Sequence, residues 1–153
     1  MTVSSPEGYL ASLAEIRDGA EQRAFISNAP GAPTQALVES ISAKIRELLP
    51  RDLDLAQVLS ETNLYLASLL DTPLAWAHAS RSRAQVLYTM RKCGEAEPFY
   101  ERAVQLFEKA EMTGEMGRTL VGQIDNLMYL SRYIEALDLA ERHLSTLPPG
   151  KGN

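Results

Sequence analysis

Apolar residues in the segment Glu95–Glu111 recur with a helical period. Ala96, Phe99, Tyr100, Ala103, Leu106, Phe107 and Ala110 follow at spacings of three, one, three, three, one and three. At 3.6 residues per turn they share one face, which predicts an amphipathic helix. Pro98 falls near the first turn, where a missing N–H forfeits little backbone bonding. Caps and breakers divide the rest of the chain into seven further helices. Ser5-Pro6 opens the first, expected to end near Arg17. Asp18, with Glu21 three residues on, caps a second that runs to about Asn28. Ala29-Pro30-Gly31-Ala32-Pro33 breaks the chain, and Thr34 caps a third helix through Leu49, closed by Pro50. The fourth is expected from about Leu53 to Leu70, and the fifth from Pro73 to about Met90. The seventh spans Gly114–Leu130 and the eighth Arg132–Thr146. The tail from Pro148 to Asn153 is expected to fray.

The same pattern is written twice. Arg91–Val104 reads RKCGEAEPFYERAV, and Ser131–Leu144 reads SRYIEALDLAERHL, forty residues later. At that offset Ala56, Ala96 and Ala136 share one phase, Leu59, Phe99 and Leu139 another, and Leu87 matches Leu127. Each unit is then two antiparallel helices, too small to bury an apolar face alone. Stacking the units gives them a common core.

These residues resemble the tetratricopeptide repeat (TPR) family, whose pattern puts small residues where paired helices cross. Ala84, Cys93, Ala96, Tyr100 and Ala103 take the family's places in one unit. Ile124, Tyr133, Ala136, Ala140 and His143 take them in the next. Cys93 stands in place of an aromatic, and Ile124 and His143 in place of small residues. Arg91 and Ser131 stand where turn glycine is common. The unit also exceeds the usual length of about thirty-four residues, so longer helices are expected.

The resemblance implies an all-α, right-handed TPR-like solenoid of antiparallel hairpins, about eight helices in all. Residues 1–33 would form an N-terminal helical cap. Repeats would span about 34–71, 72–112 and 113–147, with 148–153 a flexible tail. Over residues 7–147 the chain is also similar to the N-terminal region of bacterial TPR–CHAT (caspase-like) proteins. RAFISNAP and ALVESISAKIRELLPRDLDLAQ carry that likeness. The peptidase domain itself has no room here.

Composition narrows the partners. Apolar residues at 45% and charged residues at 23% describe a globular chain rather than a disordered one. The net charge of −5, with no Lys or Arg run, argues against nucleic acid as a partner. Cys93 is the single cysteine, so no internal disulfide can form and a reducing compartment is expected. The start, MTVSSPEGYLASL, lacks the basic and apolar regions of a signal peptide. No apolar stretch is long enough to cross a membrane. The expectation is a soluble, cytoplasmic protein without membrane or nucleic-acid partners.

Candidate chemistry is thin. Cys93 with His78 or His143 as base is a conceivable nucleophile pair. Packing at a helix turn is the preferred role for Cys93. Neither histidine has metal-ligand spacing, and there is no cysteine pair. Asp52, Asp54, Glu61 and Asp71 read as helix-terminal charges and solvated faces. Met112, Met116, Met128 and the tyrosines offer a hydrophobic ligand slot, but core or inter-repeat packing is the preferred reading. No catalytic residue, metal or cofactor is expected.

The resemblance points instead to helix-A positions that a TPR superhelix turns toward its groove. These are His78, Arg81, Gln85, Tyr88 and Thr89 in one unit. In the next they are Arg118, Val121, Asp125, Met128 and Tyr129. The implied function is a non-catalytic protein–protein interaction scaffold binding a peptide or protein segment in its concave groove. Arg81 and Arg118 would attract acidic groups, and Tyr88 and Tyr129 would supply contact area. The alternative is a regulatory arm acting with a CHAT peptidase encoded separately or lost. Leu137 and Leu144 are expected to be left partly uncovered at the end of the stack. That end would pack on a second copy, as a homodimer, or on a downstream domain.

Overall fold

Side-chain caps start the first five helices at the positions the sequence marks. Ser5 Oγ accepts the Gly8 N–H at 3.0 Å, and the Asp18 carboxylate accepts Glu21 N–H at 3.0 Å. Thr34, Asp52 and Thr72 accept from Leu37, Leu55 and Ala75 in the same way. Pro6 and Pro73 open their helices, where no N–H is needed.

The computed structural model describes residues 5–143, and among them it has eight α-helices and no strand. They are α1 (Pro6–Ala14), α2 (Gly19–Ser27), α3 (Gln35–Leu48) and α4 (Leu53–Leu70). Then come α5 (Pro73–Thr89), α6 (Cys93–Lys109), α7 (Thr113–Tyr129) and α8 (Tyr133–His143). The expected extension of the eighth helix to Thr146, the uncovered Leu144 and the tail lie outside the described residues.

Two boundaries differ from expectation for local reasons. The first helix stops at Ala14 rather than near Arg17, because Gln22 Nε2 donates to the carbonyls of Leu13 and Ile16. That side chain satisfies acceptors a continuing helix would have used. The sixth helix starts two residues early, at Cys93, so Pro98 is its sixth residue and lies inside it. Only the Gly94 carbonyl loses its partner, and both Gly94 and Pro98 are exposed to solvent.

From α4 onward the helices start at Leu53, Pro73, Cys93, Thr113 and Tyr133, a step of twenty residues. Two residues before each of the last four starts lies a left-handed residue: Asp71 (φ 51°), Arg91 (63°), Glu111 (59°) and Ser131 (61°). The last three turns close with the same bond pair. Arg91 N–H reaches Tyr88 O at 2.9 Å and Lys92 N–H reaches Leu87 O at 2.8 Å. Glu111 with Glu108, Met112 with Phe107, Ser131 with Met128 and Arg132 with Leu127 repeat it. None of these left-handed residues is glycine, although a side chain there is unfavourable by about 1–2 kcal/mol.

Glu111→Gly combined with Ser131→Gly is therefore expected to stabilise the protein by roughly 1–2 kcal/mol in all. The relief is partly offset by greater freedom of the unfolded chain. Urea unfolding measures it, and a lowered midpoint would contradict the account of the turns.

The helices pack in sequence order: α3 on α4, α4 on α5, α5 on α6, α6 on α7 and α7 on α8, as in a helical repeat. The N-terminal pair shares a core with the helices that follow. Leu13 and Ile26 are buried with Leu37, Ile41, Ile45, Leu59 and Leu66. A second core joins Phe107, Met116, Leu120, Leu127, Ala136 and Leu139. Ala56, Ala96 and Ala136, the three alanines of the forty-residue phase, are all buried.

Helix α5 lies between the two cores and contacts α3, α4, α6 and α7. Its buried Ala75, Ala77, Ala79, Ser80, Ser82 and Ala84 are small enough to admit neighbours from several sides. It is an interior helix, which changes the reading of the side chains assigned to its outer face.

Candidate functional site

Arg81 is only 5% exposed, on the α5 flank that meets α7. Its Nη1 pairs with the Glu115 carboxylate from the first turn of α7. Its guanidinium lies 4.9 Å from the Phe107 ring. Glu115 also takes Arg118 Nη2, at 2.5 Å. Burial alone would raise the Glu115 carboxyl. The hydrogen bonds and charges of Arg81 and Arg118 outweigh it and hold the group down to about 2. His78 is buried beside Arg81, with its ring edge-on to Phe107 at a centroid distance of 5.0 Å. Burial and the Arg81 charge push its pKa down, which favours the neutral imidazole.

Two of the residues expected in the groove are thus buried. His78 and Arg81 line no open surface, and neither arginine is a spare cation, because both already serve Glu115. Gln85 is half-buried, and Thr89 folds back to donate to its carbonyl at 2.8 Å.

The remaining predicted residues do come together at the surface. Tyr88 OH donates to Asp125 Oδ2 at 2.5 Å, and its ring stands edge-on to Tyr129 at 6.2 Å. That hydrogen bond raises the Tyr88 hydroxyl above its ordinary value. Arg91, in the left-handed turn position, sets its guanidinium 5.7 Å from the Tyr88 ring and 5.1 Å from that of Tyr129. Along α7, Val121 is 67% exposed, Met128 48% and Tyr129 55%. They fall on one face with Arg118 and Asp125.

Sequence reasoning missed Arg91 and Glu115. Arg91 had a signal, an arginine where the repeat pattern favours glycine. The Glu115 contact to Arg81 spans thirty-four residues and leaves no local trace.

Cys93 is buried at the start of α6, and burial pushes its thiol pKa up against the opposing pull of Arg91. His78 faces Phe107 and Arg81 rather than a nucleophile. Among the described residues no group of His, Cys, Asp and Glu is arranged to hold a metal ion. No described helix is long and apolar enough to cross a membrane.

The outer end of α8 exposes Tyr133, Ile134 and Leu137. Leu137 is the residue expected there, and the far more exposed Ile134 is an addition. No protein-family model, no curated protein and no solved structure matches this chain.

Proposed function

We propose that the chain is a non-catalytic, TPR-like scaffold that binds a protein or peptide segment on the outward face of α7. One observation carries this reading. Val121, Met128 and Tyr129 form an exposed apolar strip, edged by charged Arg91, Arg118 and Asp125. An apolar centre with aromatic and arginine neighbours is the chemistry of contact hot spots. The internal bonding of Tyr88, Asp125 and Arg91 fixes the strip before any partner arrives, which lowers the entropy lost on binding. The twenty-residue helix step and the buried alanines at equivalent positions support a solenoid of stacked hairpins, right-handed by the TPR resemblance. Its concave groove is then shallower at α5 than expected, since His78 and Arg81 fill it.

The test compares affinity capture by the parent and by a Val121→Asp/Met128→Asp/Tyr129→Ala variant. All three side chains are exposed, so the variant is expected to melt like the parent. It is expected to lose partners the parent retains. Identical capture by both proteins would count against this face.

A further inference from the structure

A second concave feature lies on the side of α7 opposite Val121 and Met128. It is a cleft of about 440 Å³ between α6 and α8, floored by Val104, Leu127 and Leu139. Helix α6 lines it with Glu97, Glu101 and Glu108, whose spacings of four and seven put them on one face. On the α8 side, Glu135 and Asp138 are already paired with Arg132 and Arg142. Arg132, Arg142 and His143 also line the cleft, and the Arg132 charge acts on Glu97 and Glu101 as well as on Glu135.

Glu97 is unusual in being buried, at 8% exposure. Its two oxygens accept from Gln123 Nε2 at 2.7 Å and Asn126 Nδ2 at 3.3 Å. Both donors are neutral amides; Arg132, which also lines the cleft, favours the charged Glu97 through its own charge but is itself bonded to Glu135. Gln123 is 3% exposed and lines the cleft, and its Oε1 has no hydrogen-bond partner. A buried amide acceptor left open beside a carboxylate bonded only by neutral amides is a deficit of donors, in a cleft whose carboxylates outnumber its arginines.

We propose that this cleft binds an extended peptide segment carrying basic side chains at alternate positions. The first ammonium or guanidinium donates to Glu97 and to Gln123 Oε1, and the second meets Glu101. One helical turn separates those carboxylates by about 6 Å of rise. Alternate side chains of an extended strand repeat at about 6.6–6.8 Å, so the two spacings agree. Glu108 lies about 10 Å further along, within reach of a third basic residue. Val104, Leu127 and Leu139 receive the apolar stems of the basic side chains. The volume falls within the range of small-ligand pockets, about 300–1,000 Å³.

Fluorescence anisotropy with a labelled Ala-Lys-Ala-Lys-Ala peptide and the intact chain tests the proposal. An Ala-Glu-Ala-Glu-Ala peptide and spermidine serve as comparison ligands. The lysine peptide is expected to bind, with affinity falling as salt rises. Glu101→Gln/Glu108→Gln, at two exposed positions, is expected to weaken it by on the order of tenfold. Glu97→Gln, checked for unchanged circular dichroism, is expected to weaken it at least as much. Asp54→Asn/Glu61→Gln removes the same charge elsewhere and is expected to leave binding unchanged. Equal loss in that control would reduce the effect to diffuse attraction and overturn the site. So would equal binding of the acidic peptide, or unchanged affinity in both cleft variants. Spermidine binding as tightly as the peptide would assign the cleft to a free polyamine and overturn the peptide assignment.

Discussion

Glu115→Ala is expected to destabilise the protein by roughly 3–5 kcal/mol, although it removes no core hydrophobe. The cause is the partner left behind. Arg81 is buried between α5 and α7, and Glu115 is its counter-ion. With the carboxylate gone, a guanidinium stays buried against Phe107 and the neutral His78 with no opposite charge. Arg118→Ala is the control, since its own pairing is exposed and worth less than about 1 kcal/mol. Adding Arg81→Met to Glu115→Ala is expected to restore much of the loss, because an apolar side chain of similar length needs no counter-ion.

The same pair sets a pH dependence. The Glu115 carboxyl is held at about 2 in the fold, against an ordinary value of 4.5. A depressed folded-state pKa gives stability that is complete above the unfolded value. That stability is lost as the pH falls from about 4.5 toward 2. Urea unfolding of the parent and of Glu115→Gln between neutral pH and pH 3 separates the two. The parent is expected to lose more. Parallel pH profiles, or an unchanged midpoint for Glu115→Ala at pH 7, would remove the ion pair from the account.

Ala96→Arg is expected to cost on the order of 4 kcal/mol, by overpacking and by burying a charge together. Ala96 is fully buried with Ala84, Leu87 and Tyr100, where α5 and α6 meet. No longer side chain fits without moving the helices apart. Ala136→Arg, at the equivalent place forty residues on, is expected to cost less. Helix α8 packs chiefly on α7 and can shift more easily than an enclosed helix. Thermal unfolding of the two variants measures the gradient. Near-parental melting for both would show that the forty-residue phase does not mark the helix crossings.

Much of the helix order could be read from the sequence, because it is written locally. Ser5, Asp18, Thr34, Asp52 and Thr72 cap helices three residues away, within reach of any reading of the chain. The stripe on α6 was equally open, since that helix is buried on one face only. Helix α5 was not legible in this way. It is buried from several sides, so its small residues and its His78, Arg81 and Gln85 show little one-sided pattern. Their polarity resembles a solvated face, and the partner that accounts for Arg81 lies on another helix. Tyr88, Asp125 and Tyr129, which the TPR resemblance had singled out, lie together at the surface. Arg91 needed the turn conformation, which a non-glycine residue conceals.

The constant step between helix starts has a consequence for how such a chain can change its length. On the proposed solenoid reading each step reverses the direction of travel. Removing twenty residues would send every later helix the opposite way along the stack and turn its apolar face outward. Removing or duplicating forty would rejoin matching ends at matching turns, with direction and buried face preserved. On the proposed solenoid reading the unit of growth is the pair, and a single helix is half of it.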